Sequence, residues 1–459
     1  MMGLVSSVDA AVHPRPTMNE SKQLQRRQFL KQTLAGAGLW ILPSGIVSGK
    51  SSPNNKLNIA LIGAGGRCTA HYGAVSGENV VALCDIDENH LAQAATKFPG
   101  AKSYSDWRKC LEHKGLDAVV CATTDQTHAH VANWAMLRGL HVYCEKPLAN
   151  TVEEARIVRA TYLANKGKLA TQVGTQRHAS ANFAEVRRLI REGAIGELSE
   201  VSAWGDRQLR RPGYLPAAGT PPKYLNYDLW LGPSPLHPYN PGYFAGKGPG
   251  TNCLSWNMYW DFGSGQVGDM GSHTMDLAWN ALDAGLPTSA VATGDPFNPD
   301  VSPVELASHF KIPANDWRPA IRLSWYQGGA MPKAPIDSAF RGVGHGAMFT
   351  GSKGILIADF GSYVIIPKGT PASARLSRKG VKGGYNFQGE WLAACKGGPE
   401  PACNFDYGGK LIEMMLLGLV AYRTGTVLDY DGAAGKVTNS ATADALLSRT
   451  YREGWPMVG

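Results

Sequence analysis

The chain of 459 residues is 44% hydrophobic and 18% charged, and it is long enough for two ordinary globular domains. Its formal net charge is +8, and no block of Lys or Arg is longer than a pair. This distribution excludes an extended nucleic-acid-binding stripe, so we expect no nucleic-acid partner.

The N-terminus carries a pattern typical of export signals. Arg26 and Arg27 are followed by Phe-Leu-Lys and by a modestly apolar stretch, 33–47, that ends among small residues. The consecutive arginines resemble the twin-arginine type of signal. Because the stretch contains several Gly and Pro residues and is shorter than the roughly 20 residues of a span, we expect no stable membrane span after signal removal. Residues 1–49 therefore predict a signal and an extracytoplasmic, periplasmic protein.

The next part of the chain alternates strands and helices. Strands are predicted at 57–63, 78–87, 116–124, 140–148 and 169–176. Helices are predicted from about Thr69 and at 90–98, 128–139 and 153–167, the last capped by Thr151 with Glu154 three residues on. Continuous apolar strands between helices indicate a parallel sheet covered on both faces. Residues 56–178 are therefore predicted to form a doubly wound α/β domain of the dinucleotide-binding, or Rossmann, type.

The pattern changes after Phe183, and residues 179–459 are predicted to form an α+β domain. A long tract rich in Pro, Gly, Tyr and Trp, 211–260, is expected to wall a cleft or to contact another subunit. Strand-like pieces with period-two character and glycine turns indicate an open, mainly antiparallel sheet. The remaining predicted elements are a strand at 198–208, strands at 289–295, 320–328, 345–361 and 363–368, and helices at 184–197, 268–285, 387–395 and 408–425. The C-terminal helices are expected to pack back on the molecule.

The eight cysteines predict neither a metal site nor a disulfide framework. Cys84, Cys121 and Cys144 lie inside apolar strands, where they are expected to be small buried hydrophobic residues. No Cys-x-x-Cys motif or Cys/His spacing indicates a metal, so none is predicted.

A glycine-rich turn follows the first strand. Gly63 permits the tight turn, Gly65 lets the backbone approach a pyrophosphate, and Gly66 and Arg67 open a helix whose N–H groups face it. Asp85 ends the second strand, where an acid accepts hydrogen bonds from both ribose hydroxyls and repels a 2′-phosphate. The cofactor is therefore predicted to be NAD rather than NADP. The alternative for Asp85 is a helix N-cap.

Polar side chains also follow the later strands of this sheet. Thr123, Asp125 and His128 come after the third predicted strand and are candidates to line the nicotinamide ribose, or else are loop and cap residues. Arg177 leaves the last strand of the series and is a candidate substrate contact, with a surface charge as the alternative.

Four motifs together resemble the Gfo/Idh/MocA family (glucose–fructose oxidoreductase, inositol dehydrogenase and relatives). They are the glycine fingerprint, TTDQTHAH at 123–130, CEKP at 144–147 and GDMGSH at 268–273. The similarity runs from Leu57 to the end of the chain. It implies a two-domain subunit and a homo-oligomer that packs through the C-terminal sheet.

The resemblance also implies a catalytic set. Lys146 matches the family's catalytic lysine, and Asp269 and His273 match its D-x-x-x-H pair; Glu145 and Lys146 join the cofactor site. On a helix, residues four apart share a face, so Asp269 is expected to orient His273 as the base while Lys146 stabilises the developing alkoxide. The alternatives are a surface lysine and a core histidine. Tyr243 and Trp256 are weaker candidates to stack on a sugar.

The sequence thus predicts an NAD-dependent oxidoreductase acting on a secondary hydroxyl of a sugar, polyol or glycoside, with cofactor held tightly and recycled internally. One alternative is a redox-neutral glycosidase that oxidises C3 transiently, with Tyr243, Tyr259 or Glu145 as a further acid/base. The other is a non-catalytic carbohydrate-binding protein of the envelope. The expected partner in all three is a small carbohydrate.

Overall fold

The computed structural model describes residues 55–247, 251–333 and 343–457. The signal predicted for residues 1–49 lies outside the described residues. Among the helices in these ranges, none combines the length and the apolar character that crossing a bilayer requires.

A six-stranded, wholly parallel sheet organises the first part of the chain, with strand order β3-β2-β1-β4-β5-β6. Its strands are β1 (Asn58–Ile62), β2 (Asn79–Cys84), β3 (Lys102–Tyr104), β4 (Ala118–Cys121), β5 (His141–Cys144) and β6 (Thr171–Val173). The order reverses between β1 and β4, which is where ligands bind in open parallel sheets. The predicted doubly wound fold is confirmed, and β3 is the strand that the sequence did not indicate.

Three of the helices of this part begin at side-chain caps, which are Asp87, Asp106 and Thr151. The helices are α1 (Tyr72–Val75), α2 (Glu88–Lys97), α3 (Trp107–Cys110), α4 (Asp125–Leu137) and α5 (Val152–Ala164). Thr151 accepts a hydrogen bond from the Glu154 backbone at 3.1 Å, and the Glu154 carboxylate accepts one from Thr151 N at 3.3 Å, so the predicted capping box is present. Cys84, Cys121 and Cys144 are buried in the strands, as expected, and all eight cysteines are free thiols.

A ten-stranded sheet organises the second part, with order β14-β13-β12-β11-β7-β10-β9-β8-β15-β16. The pair β7 and β10 is parallel and the other pairs are antiparallel, which confirms the mainly antiparallel prediction. The strands are β7 (Leu198–Gly205), β8 (Ser289–Gly294), β9 (Leu306–Ile312), β10 (Ile321–Gln327), β11 (His345–Gly351), β12 (Gly354–Ala358), β13 (Ser362–Pro367), β14 (Lys379–Gly380), β15 (Leu428–Asp431) and β16 (Lys436–Val437). Strands β9, β14, β15 and β16 were not predicted.

The second part of the chain also contains helices, the first of which leads from β6 to β7. They are α6 (Ala181–Arg191), α7 (Tyr227–Leu231), α8 (Ser272–Leu282), α9 (Phe387–Cys395), α10 (Phe405–Thr424) and α11 (Ala441–Ala445). Helix α10 packs along α5, where Arg156 donates to the fully buried Glu413 at 2.7 Å. A π-helical turn, Val267–Gly271, precedes α8 within the helix predicted at 268–285. Such turns often occur at functional sites because they re-aim the side chains that they carry.

The aromatic tract forms a small core of its own. Tyr227, Trp230, Tyr243, Tyr259 and Phe262 are all buried and pack on one another through stacked and edge-on ring contacts. Backbone hydrogen bonds from Glu88 N to Tyr224 O and from Asn226 N to Ile86 O join the tract to the segment that follows β2. The tract is therefore a fixed wall beside the edge of the first sheet.

The buried His130 on α4 should make the stability of the protein depend on pH. It is 1% exposed and lies edge-on to Tyr451 at 4.8 Å, and burial lowers its pKa to about 4 from an ordinary 6.5. Between these values the unfolded chain binds a proton that the folded chain does not, so stability falls as the pH falls. We expect the free energy of unfolding of the wild type, relative to His130→Phe, to fall by up to about 1.4 kcal/mol per pH unit across this window. Urea denaturation of both proteins measures it, and a pH-independent difference would contradict the assignment.

Candidate active site

The turn after β1 has the conformation that a dinucleotide phosphate needs. Gly63 has φ of +77°, and its N–H and that of Ala64 donate to Cys84 O at 2.8 and 2.9 Å. A Cβ at position 63 would lie 2.6 Å from Ala122 O, so only glycine fits. The helix that follows is a 3-10 helix, Gly66–His71, that leads into α1. Its first N–H groups provide the donors predicted for this position.

Asp85 lies where the second strand ends, at the wall of the same turn. It is 8% exposed, and its Oδ2 accepts a hydrogen bond from Gly65 N at 2.8 Å. The N-cap of α2 is Asp87, so Asp85 does not have the alternative role of a helix N-cap. His90 approaches Asp85 Oδ1 at 3.4 Å, and this hydrogen bond raises the pKa of His90.

These residues line a cavity of about 280 Å³ whose far wall is the aromatic tract. A Cβ at Gly66 would lie 2.8 Å from Nδ2 of Asn252, so this amide reaches the glycine turn from across the cavity. The sheet side of the cavity includes Gly63, Gly65, Gly66, Asp85, Thr123 and Thr127, and the tract side includes Leu225, Trp230, Tyr243, Phe244, Asn252 and Trp256. The lack of side chains at the three glycines, and the Asp85 carboxylate at the end of β2, fit a dinucleotide.

Tyr243 and Trp256 were predicted to contact substrate, and the structure puts them in the wall of this cavity instead. Tyr243 has no exposed surface, and its hydroxyl accepts a hydrogen bond from Leu215 N at 3.0 Å. Burial raises the pKa of Tyr243 to about 12. The tract folds inward on its aromatic core, which explains the difference. The Tyr243 side chain is therefore inaccessible to substrate, and the hydroxyl of Tyr259 is likewise buried.

Arg67 and Glu145 were both predicted to bind the cofactor, and in the structure they bind each other. Arg67 Nε and His71 Nε2 contact Glu145 Oε1 at 2.9 and 2.8 Å. Burial disfavours the charged carboxylate, but His71 and Arg67 outweigh it and hold the pKa of Glu145 well below its ordinary value. Glu145 thus remains ionised and fixes the base of the loop that carries Lys146. It does not have the protonation state of a general acid.

Thr123 and His128 occupy different positions with respect to the cavity. Thr123 lines it, and its hydroxyl accepts a hydrogen bond from Thr127 at 2.6 Å. His128 is 1% exposed, and its ring nitrogens lie 2.7 Å from Pro147 O and 3.1 Å from Thr123 O. His128 therefore ties α4 to the Lys146–Pro147 segment and is a positioning residue rather than a cofactor contact.

Lys146 lies at the centre of an ionic cluster. Its Nζ donates to Asp269 Oδ1 at 2.6 Å, and Arg207 donates to Asp269 Oδ2 at 2.6 Å. Burial opposes the ammonium, yet the Asp269 carboxylate raises the pKa of Lys146 above its ordinary value, so the group remains cationic. Two cations and one carboxylate leave a net positive charge, which can stabilise an oxyanion. Arg207, at the end of β7, was missed by the sequence reasoning.

The predicted Asp269–His273 pair is not formed. Asp269 is engaged by Lys146 and Arg207, and Nδ1 of His273 has no hydrogen-bond partner although the residue is only 6% exposed. The π-helical turn carries Asp269 while α8 carries His273, so the two do not have the regular helical relation assumed. Burial and the Lys146 charge lower the pKa of His273 to about 3, which leaves a neutral imidazole with an open acceptor position.

Arg177 is exposed near the same cluster. Its guanidinium lies 5.3 Å from the ring centre of Phe360, and the ring of His273 lies 6.5 Å from that of Phe360. Arg177 and His273 therefore lie on either side of Phe360 and interact electrostatically, and the substrate role of Arg177 stays a prediction. Cys253, next to Asn252, lies close enough to Lys146 for the two to interact electrostatically, which connects the cavity wall with the ionic cluster.

A Rossmann-type parallel sheet, a glycine turn beside a cavity and an ionic cluster around Lys146 are typical of a dinucleotide-dependent oxidoreductase. Comparison with known proteins agrees. Residues 57–175 match the model of the oxidoreductase family with an NAD-binding Rossmann fold, and residues 213–290 match that of its C-terminal alpha/beta domain. The two matched segments are those of the Gfo/Idh/MocA oxidoreductase family.

Curated relatives match through part of their length. Inositol 2-dehydrogenase 2 of Saccharopolyspora erythraea is 36% identical over 166 residues, which are 35% of this chain and 47% of the relative. Levoglucosan dehydrogenase of Pseudarthrobacter phenanthrenivorans is 29% identical over 48% of this chain and 50% of its own. The chain thus spans about half or less of the relatives it matches.

Solved structures share the fold. The WlbA dehydrogenase from Bordetella pertussis, in complex with NADH and UDP-GlcNAcA, has a TM-score of 0.56 at 18% identity, with 82% of this chain and 99% of that chain covered. An oxidoreductase domain protein from Kribbella flavida also has a TM-score of 0.56, at 20% identity and with 82% and 99% covered.

Gly63 allows a direct test of the phosphate turn. In Gly63→Ala the Cβ meets Ala122 O at 2.6 Å and the backbone keeps a positive φ, a strain of about 1 to 3 kcal/mol. We expect a dinucleotide affinity about tenfold lower or worse. Gly73→Ala in α1 is the matched control, because a Cβ there meets nothing within 4 Å. Titration with NADH measures both, and equal affinities would contradict the role of the turn.

Proposed function

We propose that this protein is an NAD-dependent oxidoreductase that acts on a secondary hydroxyl of a sugar, polyol or glycoside. The observation that carries the proposal is the cationic Lys146, paired with Asp269, beside a neutral His273 with a free ring nitrogen. The printed names of the curated relatives, inositol and levoglucosan dehydrogenases, support a cyclic polyol or sugar as substrate.

The residues divide the chemistry of alcohol oxidation between them. The nicotinamide supplies a hydride acceptor when it is bound. Lys146 hydrogen-bonds the reacting hydroxyl and stabilises its oxygen as negative charge develops, while Asp269 and Arg207 fix the ammonium in place. His273, whose imidazole is neutral, accepts the hydroxyl proton. Asp269 is therefore a positioning residue for Lys146.

NAD is proposed over NADP because of Asp85. Its buried carboxylate lies where the ribose of the adenosine half binds in this fold, and it would repel a 2′-phosphate. Asp85→Ser should raise the affinity for NADPH relative to NADH, and the ratio of the two dissociation constants measures the change. An unchanged ratio would contradict the assignment.

We further propose that the protein is exported by a twin-arginine route and retains its cofactor through the catalytic cycle. The wall formed by Tyr243, Asn252 and Trp256 supports retention, because it closes the cavity opposite the glycine turn. A retained cofactor would regenerate when a second carbohydrate or a keto form of the substrate takes back the hydride. The homo-oligomer expected through the second sheet is part of this proposal, and light scattering would give its size.

The test uses mature protein purified from a host that exports it. After extensive gel filtration the protein is denatured and the released nucleotide is identified and counted against chains. Near-stoichiometric NAD(H) supports a retained cofactor, and an empty protein that binds NAD weakly would contradict it. The loaded protein is then given inositols, free sugars and aryl glycosides. A ketone product supports dehydrogenation, release of an aglycone would support the glycosidase alternative, and unchanged substrates would favour a binding protein.

A further inference from the structure

Three buried side chains from remote parts of the sequence lie close together, next to helix α8, which also carries His273. His178 lies in the 3-10 helix Gln176–Ala179 after β6, Asp276 lies on α8, and Cys403 comes just before α10. One nitrogen, one oxygen and one sulfur of these residues all lie within 4.8 Å of one another. The sequence did not predict this cluster, because its members are far apart along the chain.

The polar contacts within the cluster are those of a metal site with an ordered second layer. His178 Nδ1 lies 3.0 Å from both oxygens of Asp276, and the Tyr407 hydroxyl donates to Asp276 Oδ1 at 2.5 Å. Metal-binding carboxylates are normally hydrogen-bonded in this way, and the bond fixes their orientation. Tetrahedral zinc holds its ligand atoms roughly 3.3 to 3.6 Å apart, with bonds of about 2.0 to 2.3 Å. The three groups therefore need to move by about 1 Å or less to enclose such an ion.

The charges of the cluster favour a divalent cation. Asp276 and Cys403 have no exposed surface, and His178 is 9% exposed. In the metal-free cluster the buried Asp276 carboxylate is balanced by His178, whose pKa Asp276 raises well above its ordinary value although burial opposes it, and a divalent ion would take over that role. A divalent ion would displace the thiol proton, and a thiolate, a carboxylate and a neutral imidazole then balance its charge. The Cys sulfur and His nitrogen select a borderline-soft metal over Mg²⁺ or Ca²⁺.

We propose that His178, Asp276 and Cys403 bind a structural Zn²⁺ ion. A cavity of about 350 Å³, lined in part by His178, Tyr407 and Asn280, opens beside the cluster. Of the three proposed ligands His178 lines this cavity, so water can reach the cluster beside that residue. The ion joins the end of β6, the helix that carries His273 and the start of α10. The ion thereby connects the elements that carry Arg177 and His273.

The experiment uses the full chain. Metal content is measured by plasma mass spectrometry after purification from zinc-containing medium. The protein is then stripped with a chelator and titrated with Co²⁺, whose thiolate complexes have a charge-transfer absorption that oxygen and nitrogen ligands do not produce. We expect about one zinc per chain and a thiolate–cobalt band in the wild type. Tyr407→Phe should keep the band but bind zinc about 10- to 100-fold more weakly, because it loses the support of Asp276.

Cys403→Ser and Asp276→Asn should lose both the metal and the band, while Cys395→Ser, a half-buried cysteine outside the cluster, should keep them. Circular dichroism shows whether each variant is folded. If Cys403→Ser does not fold, the cobalt spectrum of the wild type alone decides. A zinc-free wild type that binds no added metal, or a cobalt complex without a thiolate band, would overturn the proposal and leave a hydrogen-bonded network.

Discussion

Replacing Lys146 by methionine should lower kcat for polyol oxidation about 10²- to 10³-fold, the cost of losing one group that stabilises an oxyanion. The reason is geometric as well as electrostatic. Lys146 is 15% exposed and is held at 2.6 Å from Asp269, so its charge is fixed before substrate arrives. Methionine keeps the length of the side chain and removes the charge, which leaves Asp269 with Arg207 as its remaining cation. Initial rates under saturating substrate measure the effect.

The control is Lys166→Met, because Lys166 is 54% exposed and forms a surface ion pair with Glu400. It should have the kcat of the wild type. Lys146→Met should also retain its nucleotide, since neither the glycine turn nor Asp85 contacts Lys146 among the described hydrogen bonds. Loss of nucleotide together with rate would mean that Lys146 holds the cofactor rather than the transition state. An unchanged kcat would contradict the mechanism outright.

The first sheet was predictable because its signals are local. The apolar strands, Thr151 with Glu154, and Gly63 and Gly65 each specify structure within a few residues. Strand β3 was missed because it has three residues that are not buried, and therefore has no apolar pattern. Buried and less buried residues do alternate along strand β9. The period-two pattern therefore predicts a strand there, even though His and Lys residues interrupt its apolar character.

The candidate site was predictable residue by residue but not as a network. Lys146, Asp269 and His273 were expected, whereas the pairing of Asp269 with Lys146 and Arg207 spans 123 and 62 residues of sequence. A periodic pattern of residue types does not predict contacts between residues that lie so far apart in the sequence. The same limit applies to Glu145, whose partner Arg67 lies 78 residues away, and to the inward turn of Tyr243. One feature of the sequence could have pointed to Arg207. It is a cation that comes just after a strand, and the neighbouring strands end in the cleft.

Replacing His273 by glutamine should lower kcat about 10²- to 10⁴-fold, the usual contribution of a general base, without abolishing turnover. Glutamine fills a similar volume and keeps a polar end, but it cannot accept the proton. Nucleotide content should be unchanged. The matched control is His113→Gln, which alters a partly exposed histidine outside the cavity lining and should leave kcat near that of the wild type.

The pH profile distinguishes His273 from the other proton acceptor near it. Burial and then Lys146 lower the pKa of His273 to about 3, so the base is already neutral and kcat should be flat through the mildly acidic range. In His273→Gln, hydroxide must take the proton, and kcat should rise about tenfold per pH unit. Asp125 is the rival, because burial raises its pKa to about 7. If Asp125 were the base, the wild type would lose activity as the pH falls below that value and His273→Gln would keep the same limb. A wild-type kcat that stays flat in the acidic range identifies His273 as the base. A wild-type kcat that falls there, with the same fall in His273→Gln, identifies Asp125.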